Sequence, residues 1–111
     1  MKSDLGDEAR LLHILDCIEE IYKATNSLTQ NEFEQNHIVR IAVVKWLEII
    51  GEAAKHLSDE MRNANPHIEW RYIIGLRNIV VHEYFGINFS TIWHIVKDQL
   101  QPLKEDIKKL Y

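Results

Sequence analysis

The chain has 111 residues, 46% of them hydrophobic and 27% charged, with a formal net charge of −4. That length holds one ordinary core, predicting a single domain over residues 1–111, and the composition excludes a disordered chain. The acidic excess is uneven: three basic against eight acidic residues in 1–34, six against five in 35–82, and four of each in 83–111. A strongly basic footprint, the usual mark of a nucleic-acid binder, is therefore absent.

The first predicted helix runs from Asp4 to about Leu28. Leu11, Leu12, Ile14, Leu15, Ile18, Ile21 and Tyr22 recur at three- and four-residue spacing. Asp4, Asp7 and Glu8 suit the positive end of its dipole and read as a solvated face. Cys17, alone in the sequence, falls at an apolar position and suits a reducing compartment. Thr29-Gln30-Asn31-Glu32 has the form of a capping box and starts a short helix through Phe33, and Asn36 caps the next.

Residues 37–57 make the most apolar helix. Ile38, Ile41, Ala42, Val43, Trp46, Leu47, Ile49, Ile50, Ala53, Ala54 and Leu57 cover well over half its circumference. Such a helix is buried on more than one side, as the central helix of a bundle or against a second subunit. Gly51 and Ala53-Ala54 allow a close helix approach. Glu48 and Glu52 lie one turn apart, but the clusters that hold zinc or magnesium are missing, and no metal or other cofactor is expected.

Ser58 caps a short helix that Asn65-Pro66 ends. From about Glu69 the chain is helical again, to a stop at Gly86. Ser90 is expected to cap a last helix to about Leu110, bent or split by Pro102. No β alternation or internal repeat appears. The predicted fold is an all-α bundle of four main helices plus short helices. No apolar run approaches the roughly 20 residues of a membrane span, and the Met1-Lys2-Ser3-Asp4 start has no apolar signal core. A cytoplasmic location is expected.

The chemistry concentrates in Arg77-Asn78-Ile79-Val80-Val81-His82-Glu83-Tyr84. At about 100° per residue, Arg77 and Tyr84 share one strip of a helix, and Asn78 and His82 a second. Ile73, Leu76, Ile79 and Val80 fill the inward arc. An arginine grips a phosphate with a planar fork of donors, and a histidine moves protons near neutral pH. Together they suit metal-free RNA cleavage, with His82 as base or acid, Arg77 stabilising phosphate charge and Asn78 supporting. That reaction wants two proton-transfer groups, and a symmetric dimer supplies a second His82. Arg71 serves equally as a phosphate contact or a salt-bridge partner. The same residues also fit a plain polar interface. Trp46, Trp70 and Trp93 fit base stacking, but their helical spacing favours core or dimer packing. His13, His37, His56, His67 and His94 lack metal-ligand spacing.

The octet RNIVVHEY, with its R-x4-H-x-Y spacing, resembles the signature of HEPN-domain ribonuclease toxins. Glu69-Trp70-Arg71, Gly75-Leu76-Arg77-Asn78 and Tyr84-Phe85-Gly86 resemble the HepT-like branch. Leu47-Glu48-Ile49-Ile50-Gly51-Glu52-Ala53-Ala54-Lys55 and Arg10-Leu11-Leu12-His13-Ile14-Leu15 are similar to its other landmarks. The landmarks run from near residue 10 to about 107. The resemblance implies a HEPN-type bundle, a homodimer, and a metal-independent endoribonuclease that is the toxin of a type VII-like toxin–antitoxin pair. It implies Arg77 and His82 as the catalytic pair. It also implies a minimal nucleotidyltransferase antitoxin that transfers AMP to Tyr84. The alternative is a non-catalytic helical binding module that pairs with such a nucleotidyltransferase. A purely structural helical dimer is a third reading.

Overall fold

A computed structural model describes residues 2–82 and 88–110, with side chains from residue 6 to 78 and from 88 to 110. Its elements are α1 (Lys2–Thr25), α2 (Gln30–Gln35), α3 (His37–Lys55), α4 (Asp59–Ala64), α5 (Trp70–His82), α6 (Phe89–His94), a π-helical turn (Ile95–Gln99) and α7 (Leu100–Lys108). The last three form one continuous helical stretch. The molecule is thus an all-α bundle of four main helices, α1, α3, α5 and α6–α7, with α2 and α4 as short connectors.

Local chemistry sets most boundaries. Thr29 and Glu32 form the reciprocal capping box, Thr29 Oγ1 accepting from the Glu32 amide and Glu32 Oε1 from the Thr29 amide. Asn36 caps α3 by accepting from the Val39 amide at 3.0 Å, and Ser58 caps α4 by accepting from Met61. Helix α1 ends three residues before the expected Leu28. There Thr25, fully buried, turns its hydroxyl back onto the Ile21 carbonyl at 2.8 Å.

Asp7 is not on a solvated face, as its neighbours in sequence suggested. It is buried, and its carboxylate accepts from the Ser58 amide at 2.8 Å and from the Ser58 hydroxyl at 2.6 Å. A buried carboxylate persists only with such partners. The bonds tie the start of α1 to the start of α4, 51 residues on.

Helix α3 is the central one. It lies against α1 on one side and α5 on another, with α2 across a third. Val43, Val44, Leu47, Ile50, Ala53 and Ala54 are buried along it. Ile14, Ile18 and Ile21 of α1, Ile73 and Leu76 of α5, and Ile92, Trp93, Leu100, Leu103 and Ile107 of α6–α7 complete one core. Full burial of each Val, Leu or Ile side chain among these contributes about 1.5–3 kcal/mol. Trp70 and Trp93 are core residues, Trp70 donating its indole N–H to the Asn65 carbonyl at 3.0 Å. Cys17 is buried, and burial, with Asp16 and Glu20 nearby, pushes its thiol up to about 11. Ile38, by contrast, is 81% exposed and Ile41 48%.

Two expectations for the last helix are corrected. Its cap is Asn88, whose side chain accepts from the amides of Ser90 and Thr91. Ser90 stands inside the first turn and receives a bond from the Gln30 side chain. The helix is interrupted as Pro102 predicted, but upstream of it. The Leu100 amide donates to the Ile95 carbonyl, five residues back. In a regular α-helix the proline ring would meet the carbonyl of Asp98, which it also leaves without a donor. Asp98 lies within the π turn, and the α-helix resumes at Leu100. The expected stop at Gly86 lies outside the described residues.

Candidate functional site

Helix α5 carries its residues in two environments. Ile73 and Leu76 are buried, and Arg71 and Asn78 are exposed. Arg71 and Asn78 are seven residues apart, so they share a strip at a separation of about 10 Å along the helix. Arg77 stands beside the buried arc rather than on the exposed strip. Its side chain is 28% exposed and reaches across to α3. The backbone of α5 continues to His82. The side chain of His82 and all of Tyr84 lie outside the described residues.

What brings Arg77 against α3 is Gly51. A Cβ placed there would lie 2.8 Å from the Arg77 backbone nitrogen and 3.1 Å from both the Arg77 Cβ and the Ile73 carbonyl oxygen. Only a residue without a side chain lets the two helices approach this closely. The next residue on α3 is Glu52. Its Oε1 accepts a hydrogen bond from Arg77 Nη1 at 2.8 Å. The Arg77 bond, followed by its charge, outweighs desolvation and holds the Glu52 carboxyl below the usual carboxylate value. The second oxygen, Oε2, is 3.7 Å from His56 Nε2, one turn on. The Nε of Arg77 is buried and has no hydrogen-bond partner among the described residues.

Glu48 and Glu52, one turn apart in sequence, therefore take different partners. Glu48 accepts from Lys45 Nζ at 2.6 Å, and Glu52 faces α5. Beside them a groove of about 280 Å³ is lined by Arg10, His13, Lys45, Glu48, Glu52 and His56, among others. Among the described residues no group of three or more His, Cys, Asp and Glu side chains is placed to hold a metal ion. The five histidines named from sequence besides His82 are all exposed.

The contact of Glu52 with Arg77 was not read from the sequence, which paired Glu52 only with Glu48. Its signal was present in part: Glu52 follows a glycine on the most buried helix. Which helix the glycine admits is a tertiary fact, set 25 residues away at Arg77.

A family profile described as "Ribonuclease HepT-like" matches residues 14–110. A Methanocaldococcus jannaschii protein named "Putative RNase MJ1380" is 37% identical over 101 residues, covering 91% of this chain and 93% of its own. "Putative RNase TTE0752" of Caldanaerobacter subterraneus subsp. tengcongensis is 33% identical, covering 90% and 89%. "Probable ribonuclease HepT" of Thermococcus cleftensis is 33% identical, covering 87% and 88%. No solved structure gives a significant match.

An all-α bundle, matched over most of its length by a ribonuclease family profile and by ribonuclease-named proteins, defines the class as a helical ribonuclease-type domain. The chain belongs to the HepT-like ribonuclease family.

Proposed function

We propose that this protein is a metal-independent endoribonuclease, the toxin of a type VII-like HEPN/MNT toxin–antitoxin pair. One observation carries the reading furthest. In a family of ribonucleases, Arg77 is fixed at its α3 edge while the same helix runs on, five residues, to His82.

In this reading the protein is one domain that acts as a homodimer in the cytoplasm, with RNA as its substrate. The imidazole of His82 takes the proton of a ribose 2′-hydroxyl. That oxygen attacks the adjacent phosphorus, and negative charge grows on the non-bridging oxygens, where the Arg77 guanidinium donates. The bond to the 5′-oxygen breaks. The leaving oxygen takes a proton from the second protomer's imidazolium, leaving a 2′,3′-cyclic phosphate and a 5′-hydroxyl. Asn78 orients the histidine or meets the substrate, and Arg71, on the Asn78 strip, adds a phosphate contact. A minimal nucleotidyltransferase antitoxin neutralises the toxin by AMP transfer to Tyr84. The added phosphate then competes for Arg77.

The net charge of −4 favours a second reading, a non-catalytic module that pairs with the nucleotidyltransferase. Incubating the purified protein with RNA in excess EDTA separates the two. Cleavage that survives EDTA and disappears in a folded His82→Ala variant supports the enzyme. Intact RNA with the unmodified wild type supports the module.

A further inference from the structure

We infer that Glu52 is the positioning residue for Arg77: it fixes the plane of the guanidinium and leaves the remaining donors to a phosphate. The inference rests on the ribonuclease reading above and assigns a role within that site to a residue on a different helix.

The argument begins with the backbone. Gly51 brings α3 into direct contact with α5 at Arg77. Glu52, the next residue, is thereby delivered beside the guanidinium at the surface edge of the seam. The contact is a single bond, Nη1 to Oε1 at 2.8 Å. Arginine presents five N–H donors in a rigid fork. A two-bond, fork-to-fork pair with Glu52 would occupy a whole edge of that fork. One bond holds the plane and leaves the other guanidinium N–H groups uncommitted to Glu52. A phosphate oxygen is an acceptor suited to those that face outward.

Charge balance agrees. A carboxylate facing one guanidinium alone would cancel much of its attraction for phosphate. Here only one oxygen of Glu52 engages the guanidinium, and the other lies 3.7 Å from His56 Nε2. The Glu52 side chain is 46% exposed, and solvent screens it further. Its effect on Arg77 is thus more geometric than electrostatic.

Other roles for Glu52 fit less well. A general base needs a carboxyl free to take a proton near neutral pH, and the Arg77 bond works against that. A metal-binding carboxylate needs converging partners, and nearby Glu48 is turned to Lys45.

The test compares wild type, Glu52→Gln, Glu52→Ala, Arg77→Ala and the Glu52→Ala/Arg77→Ala double variant. A short RNA in EDTA supplies kcat and KM, and NMR reads the arginine Nε–Hε signals. A misplaced catalytic group loses on the order of a hundredfold in rate. The expected result is a ten- to hundredfold fall in kcat for Glu52→Ala, with KM within about threefold. In the Arg77→Ala background, Glu52→Ala changes the residual rate by less than about twofold, because the two act as one unit. The Arg77 Nε–Hε signal, distinct in wild type, moves toward the solvent-exposed arginine envelope in Glu52→Ala and moves less in Glu52→Gln, whose amide oxygen still accepts from Arg77. Glu52→Gln keeps the shape and carries the same comparison if Glu52→Ala does not fold. An unchanged Arg77 signal, or rate losses that simply add in the double variant, overturns the inference. A wild type that cuts no RNA defeats the ribonuclease reading instead, and the NMR comparison still decides whether Glu52 holds Arg77.

Discussion

Helix α5 meets its two neighbours in opposite ways. Toward α3 the backbones nearly touch at Gly51, and the contact is closed by an ion pair. Toward the π turn and α7 a cleft of about 450 Å³ stays open, floored by Ile73, Leu76, Ile95 and Leu103 and rimmed by Glu69, Tyr72, Asp98 and Asp106. A glycine tightens one contact, and the π turn and Pro102 border the open side. The difference locates rigidity where a positioned arginine needs it. The close-packed seam has little room to let Arg77 drift, because interiors that dense resist small displacements.

That comparison makes graded predictions. The largest effect falls on chemistry, at the helix the tight seam supports. Arg77→Ala and His82→Ala each lower RNA cleavage by about 10²- to 10⁴-fold, the range of one lost charge-stabilising or proton-transfer group. Circular dichroism should show the fold retained. Equal rates for wild type and both variants would remove the site from this helix.

Next comes the pair of glycines. Gly51→Ala forces the seam apart and destabilises by about 1–3 kcal/mol, the ordinary cost of overpacking. Gly75, on α5 itself, is its control. A Cβ there meets nothing within 4 Å among the described residues. Gly75→Ala therefore stabilises by about 0.4–1 kcal/mol through helix propensity and reduced chain entropy. Urea melts of both variants check the contrast. Two equal losses would mean that the seam is no tighter than an open helix face.

A smaller effect is pH-dependent. The Glu52 carboxyl is held below its ordinary value by the Arg77 hydrogen bond. Its contribution is therefore complete above the unfolded carboxylate value, about 4.3. It is lost as pH falls through the lower folded value. The stability difference between wild type and Glu52→Gln should be flat near neutrality and shrink below about pH 4. A difference that instead grew on acidification would contradict the assigned pairing.

The smallest expected response is at Cys17, buried in the core on α1. With burial pushing its thiol up to about 11, almost no thiolate forms at pH 8. A colorimetric thiol reagent should label it only after denaturation. Rapid labelling of the native protein would show that the core around α1 opens.

What the sequence revealed followed from how local each cause is. The caps at Thr29, Asn36 and Ser58 each involve a side chain and an amide three residues on, so a short window contains both partners. The apolar stripes of α1 and α3 were legible for the same reason. Asn88 and Ser90 compete as caps because either side chain suits the role, and the choice rests on where the chain enters the helix. Pro102 announced an interruption, but a π turn is set by a backbone bond, Leu100 to Ile95, that no residue type in the window specifies. Asp7 looked solvated because its partner, Ser58, is 51 residues away. In the site, the R-x4-H motif was visible as a local pattern, whereas Glu52 became visible only once Gly51 had set α3 against α5.

The most direct test is the chemistry of the cut ends. In EDTA, the wild-type protein should leave a 2′,3′-cyclic phosphate on one fragment and a 5′-hydroxyl on the other, as attack by the neighbouring 2′-hydroxyl requires. Fragments with 3′-hydroxyl and 5′-phosphate ends, formed only when a divalent cation is supplied, would contradict a cleavage run by Arg77 and His82.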